Sequence, residues 1–152
     1  MTHPRIRGWF VPIATLLLTA PLHADEPTAR AVRTLLDDQA KAWNAGKLDR
    51  FMDGYHDSDD LVFFAGGNVI KGHKAVTQRY RQRYQSEGKE MGKLTFSDLE
   101  VFPLGADAAM ARAKWKLVTS KEKVEGLFTL VLKKLDGGWK IVHDHTSKAD
   151  PS

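Results

Sequence analysis

An α+β fold, with helices packed on one face of a curved, mainly antiparallel sheet, is what this sequence predicts. Three observations carry the prediction. Val32, Leu35, Leu36, Gln39, Ala40 and Trp43 recur at helical spacing early in the chain. Four strand-like runs joined by short, turn-rich connections fill the last third. The 152 residues are 42% hydrophobic and 28% charged with both signs interspersed, without an internal repeat or low-complexity tract, so a single domain is expected.

The first 24 residues stand apart from that domain. Arg5 and Arg7 precede a roughly ten-residue apolar run between Trp9 and Ala20, and Pro21-Leu22-His23-Ala24 gives way to Asp25-Glu26. The pattern predicts an export signal cleaved after Ala24, with the mature domain spanning 25–152 in the periplasm or secreted. The run is well short of the ~20 apolar residues a membrane-crossing helix requires, so no stable insertion is expected after cleavage. Removing residues 1–24 leaves 128 residues and takes away two arginines and no acid, lowering the net charge from +4 to +2. That balance lacks the electrostatic footprint of a nucleic-acid binder. The chain has no cysteine, which excludes disulfides and thiol chemistry and leaves stability to the core.

Each element has its own signal. Residues 28–45 read as a helix, with Pro27 suited to its start and Gly46 to its end. "KLDRFMDGY" gives a second, short helix presenting Leu48, Phe51 and Met52. Leu61–Ala65 and Val69-Ile70 form a hairpin around Gly66-Gly67, and no Lys-Ser/Thr follows to make that turn a phosphate loop. "HKAVTQRYRQRYQSE" is a third helix whose Val76, Tyr80 and Tyr84 fall on one stripe, with Gly88 at its end.

"KLTFSDLEVF", "AAMARAKWKLV", "VEGLFTLVLKK" and "WKIVHDHTS" then form an antiparallel meander. In the second run Ala109, Ala111, Ala113, Trp115 and Leu117 alternate with Met110, Arg112, Lys114 and Lys116, giving one buried and one wet face. The small alanines beside Trp115 are expected to leave room in front of the sheet. The first run switches its apolar phase midway, which predicts a bulge.

The segments "AWNAGKLDRFMDGY", "GGNVIKGHKAV", "GKLTFSDLEVFPLG", "GLFTLVLKK" and above all "GWKIVHDHTS" resemble the nuclear transport factor 2-like superfamily, and within it the SnoaL-like group. Ketosteroid-isomerase-like proteins and the calcium/calmodulin-dependent kinase II association domain are part of the same resemblance, which covers 28–148. It implies a cone-shaped fold whose helices and concave sheet face enclose a hydrophobic cavity, often in a homodimer formed through the outer sheet face. It implies no single activity, since such proteins include isomerases, cyclases and dehydratases as well as binders and assembly modules. Ketosteroid isomerisation needs a carboxylate base with a Tyr and a protonated acid as oxyanion donors. No residues at matching positions supply that set, so the resemblance does not carry that activity over.

Strand alternation in "WKIVHDHTS" groups Trp139, Ile141, His143 and His145 on one face and Lys140, Val142, Asp144 and Thr146 on the other. The first set begins apolar, so it is assigned to the concave side. His143 and His145 are then the candidate catalytic residues, because imidazoles titrate near neutral pH. A metal site on the pair would need a third ligand such as His56 or Asp57, and a histidine merely ordering the strand end is an equally good reading. No metal and no cofactor are expected. Trp43, Tyr55, Tyr80, Tyr84, Trp115 and Phe128 are the candidate aromatic wall, their hydroxyls and indoles orienting an apolar ligand. Arg79 and Arg83 flank the Tyr80–Tyr84 stripe, and a guanidinium at the cavity mouth suits a carboxylate; Arg83 is taken as the candidate ligand-binding arginine.

Two functions fit. One is an exported domain that binds an aromatic or polycyclic small molecule in its cavity, or acts on it by acid–base chemistry. The other is a dimerisation or protein-interaction module with a vestigial cavity. A partly polar void of a few hundred Å³ favours the first; a filled interior favours the second.

Overall fold

A computed structural model describes residues 27–149, and the segment read as an export signal lies outside them. Three helices, α1 (Pro27–Asn44), α2 (Leu48–Met52) and α3 (His73–Tyr84), lie with six strands, β1 (Val62–Ala65), β2 (Asn68–Lys71), β3 (Lys93–Pro103), β4 (Ala108–Val118), β5 (Lys123–Leu135) and β6 (Gly138–Lys148). The third helix stops at Tyr84, short of the Gly88 expected from sequence. The sheet order is β2-β1-β6-β5-β4-β3. Only β1 and β6 run parallel; every other neighbouring pair is antiparallel.

Amphipathic spacing accounts for how the helices seat. Val32, Leu36, Gln39 and Trp43 are the buried residues of α1, spaced four, three and four apart along one stripe. They meet Leu48, Phe51 and Met52 of α2, all buried. Gln39 sends its Nε2 to the Phe51 carbonyl at 2.9 Å, which satisfies a buried amide in the middle of the apolar stripe. Gly54 is needed there, because an added Cβ would lie 2.6 Å from that Gln39 nitrogen. At the end of α1, Asn44 pairs with the backbone of β3 through both amide atoms, Nδ2 to Leu94 O at 2.9 Å and Oδ1 from Leu94 N at 2.7 Å. An edge strand that would otherwise offer free backbone groups is thereby tied to the helical layer.

The inner sheet face is the core. Ala109, Ala111, Ala113 and Leu117 of β4 and Val124, Phe128, Leu130 and Leu132 of β5 are buried, in the alternation expected of one dry face. The alanines are packed in this core, so the space they were expected to leave lies instead beside Trp115 and Leu117.

Two bulges reset which face each strand presents. In β3 the register shifts between Ser97 and Glu100, and Asp98 takes a positive φ of 54°. This is the break that the apolar phase switch predicts. In β6 the register shifts between the pairs Leu132–Ile141 and Val131–His143, so Val142 has no partner on β5. The extra residue inverts the alternation. Ile141 and Asp144, three apart, both point inward and are buried, with Thr146 following on the same side.

Candidate functional site

A cavity of about 310 Å³ lies between the helices and the inner face of the sheet. Its deep end is set by a crossing of the chain. After α2 the backbone pairs with β6 at the bulge, His56 N donating to Ile141 O at 2.9 Å and Ile141 N to Gly54 O at 2.9 Å. That pairing brings Tyr55 alongside Asp144. The Tyr55 hydroxyl donates to Asp144 Oδ2 at 2.8 Å, and the Thr146 hydroxyl donates to Oδ1 at 2.7 Å.

Asp144 is 3% exposed. Burial pushes its carboxyl up to about 6 against the pull of the Thr146 and Tyr55 hydrogen bonds and the charge of His145. Tyr55 is raised well above the usual phenol range, first by burial and then by the Asp144 charge. Tyr80 belongs to the same group: burial, followed by the Asp144 charge, raises its phenol too. The result is a carboxyl that changes protonation near neutral pH, flanked by two phenols that stay protonated. Such a set can take a proton from a ligand and hydrogen-bond an oxygen on it.

Around this group the wall is aromatic. Trp43 meets Phe51, Tyr80 and Tyr84 edge-on at 5.0, 5.8 and 4.9 Å between ring centroids, and Phe96 meets Phe128 at 5.2 Å. The indole nitrogens do not face the ligand space as expected. Trp43 Nε1 donates to Met91 O at 2.8 Å and Trp115 Nε1 to Ser147 O at 3.0 Å. The polar contacts available in the cavity therefore come from phenols, Asp144, Thr146 and the basic side chains at its rim.

Of the residues singled out from sequence, Trp43, Tyr55, Tyr80, Arg83, Tyr84, Trp115 and Phe128 all line the cavity. His143 and His145 do not. The inward assignment of these histidines is corrected by the β6 bulge, which turns both to the outer sheet face. There Phe64 stands edge-on to each, at 4.8 Å from His143 and 5.7 Å from His145. Burial, then the neighbouring His145, lowers the pKa of His143. His56 and Asp57, considered as further metal ligands, line a separate groove with His73, whose Nδ1 is 3.6 Å from Asp57 Oδ1. No group of three or more metal-ligating side chains occurs among the described residues. Asp144, placed on the outer face by simple alternation, is the polar centre of the cavity, and Thr146, Gln39, Arg79 and Lys148 line it as well.

The model of the SnoaL-like domain matches residues 32–151. The chain belongs to the SnoaL-like family. A nuclear transport factor 2-like protein of unknown function from Shewanella oneidensis MR-1 shares 33% identity with this SnoaL-like chain, at a TM-score of 0.74 over 80% of it and 99% of the other. A ketosteroid isomerase-like protein from Erwinia carotovora atroseptica SCRI1043 superposes at a TM-score of 0.65 with 20% identity, covering 80% and 96% of the two chains. A putative calcium/calmodulin-dependent protein kinase II association domain from Xanthomonas campestris does so at 0.65 with 21% identity, covering 88% and 95%. Those two likenesses are of fold. No curated protein matches the chain.

Proposed function

We propose that this SnoaL-like domain binds an aromatic or polycyclic small molecule in its cavity and moves a proton on it, without a redox cofactor. The observation that carries the reading is Asp144, a buried carboxyl held between Tyr55 and Thr146 at the end of an aromatic-walled space. Ionised, Asp144 accepts a proton from a carbon beside a carbonyl. The electron pair moves onto the carbonyl oxygen, where the Tyr80 hydroxyl supplies a hydrogen bond, and Asp144 returns the proton to the same or a conjugated carbon. Return to the same carbon is proton exchange and return to the conjugated carbon is an isomerisation, the kind of chemistry that the name of the Erwinia protein suggests.

The test uses 2-tetralone, a two-ring ketone with exchangeable α-protons, in D2O. The wild-type protein accelerates deuterium uptake followed by NMR, and Asp144→Asn lowers that rate roughly 100-fold. Equal rates for the two proteins would remove the proton-transfer role. Native mass spectrometry of the purified protein addresses binding separately, with a ring-bearing molecule expected to co-purify.

The proposal extends to place and assembly. Export is supported by the leader-like residues 1–24. Among the described residues no helix is long and apolar enough to cross a membrane. A homodimer through the outer sheet face is supported by Val69 and Leu127, 58% and 57% exposed on that face.

A further inference from the structure

The residues lining the cavity divide by exposure. Asp144, Tyr55 and Phe51 are buried, whereas Arg83, Lys148 and Asn68 are exposed and mark the mouth. Arg79, half-buried, lies between these groups and is close enough to Tyr80 and Tyr84 for its charge to lower both phenols. Arg83 sits over the Tyr84 ring, its Cζ 5.6 Å from the centroid. One face of α3 therefore brings two guanidiniums to the opening, and the end of β6 adds an ammonium opposite them.

No acid among the described residues pairs with this group. Arg81, on the same helix, has Asp49 at 2.5 Å. Arg79, Arg83 and Lys148 have no ion-pair partner among the described residues. Among the described residues Asp144 is the single acid lining the cavity, and its oxygens are engaged by Tyr55 and Thr146. Glu122 acts on Tyr84 from outside the lining. Cations without an ion-pair partner, grouped at the opening of an apolar space, are arranged to receive an anion from outside.

We propose that the ligand is a carboxylate: a ring or polycyclic body occupying the aromatic wall, with its carboxylate held at the mouth by Arg79, Arg83 and Lys148. This rests on the cavity being a binding site and adds to it the charge and polarity of the occupant. It also orients the ligand. The acid group stays at the rim, and the opposite end of the rings is delivered to Asp144, where a second negative charge would be repelled.

Isothermal titration calorimetry with 2-naphthoate and its neutral counterpart 2-naphthamide tests the proposal. The carboxylate binds about tenfold more tightly than the amide in low salt, as a charge-assisted contact of ordinary strength gives. Raising the salt to 0.5 M narrows the gap, since the rim charges are exposed. Arg79→Gln closes most of it, and Arg83→Gln serves as the second variant, with far-UV circular dichroism confirming that each is folded. Equal affinity of the wild type for both probes, or preference for the amide, overturns the carboxylate assignment and leaves the cavity as a site for neutral rings. Failure of both probes to bind at millimolar concentration overturns it together with the cavity reading.

Discussion

Asp144 is held in the cavity at a cost to stability, and the sign of that cost is testable. Moving a carboxyl from its ordinary value of 3.8 to about 6 corresponds to roughly 3 kcal/mol between its two protonation states. Because the folded-state value is raised, the folded chain binds more protons than the unfolded chain between those two pH values. Its contribution is thus fully present below pH 4 and lost as pH rises through 6. Asp144→Asn removes the ionisation. Relative to wild type, the variant is expected to gain stability as pH rises from 4 to 7, with a gain on the order of 1–3 kcal/mol by urea denaturation at pH 7. A wild-type-minus-variant difference that stays flat over that range would show that the carboxyl is not held in this state. A residue whose replacement stabilises the fold while slowing proton exchange is one kept for function.

At the scale of elements, β6 governs the site and was the hardest to read. The alternation in β4 and the helical stripes of α1 and α3 are legible because one periodicity runs through each, and Trp43, Tyr80, Arg83, Tyr84 and Trp115 are assigned to the cavity on that basis. The β3 bulge is legible because its apolar phase changes on either side of Ser97-Asp98. In β6 the sequence Ile141-Val142-His143 carries no such mark. The extra residue is chosen by the pairing of Gly54 and His56 with Ile141 and by that of Val62 with His143, contacts made with distant segments. A period-two reading therefore inverts every residue after Val142. Next to this strand, Gly126 is fixed by contact: an added Cβ would collide with the Ser147 carbonyl oxygen and press on Trp115 Nε1 at 2.9 Å. Gly126→Ala is expected to cost about 1–3 kcal/mol and to loosen the Trp115–Ser147 hydrogen bond. An unchanged denaturation midpoint would mean that β5 and β6 are not packed this closely.

For the whole molecule, the two faces of the sheet divide the work. The inner face forms the cavity; the outer face exposes Leu127 and Val69 beside Phe64, His143 and His145. Leu127→Glu is expected to shift sedimentation from dimer toward monomer at micromolar concentration, with thermal unfolding otherwise near that of the wild type. A wild type that sediments only as a monomer at the same concentration would remove the dimer. The committed indoles of Trp43 and Trp115 have a use of their own. Both rings border the cavity while their N–H groups are bonded to backbone carbonyls, and Trp139 does not line it. Occupancy should therefore change the emission intensity of two tryptophans while their hydrogen bonds stay in place. The protein thus carries an optical gauge of its own filling, which can be read by titration before any occupant has been identified.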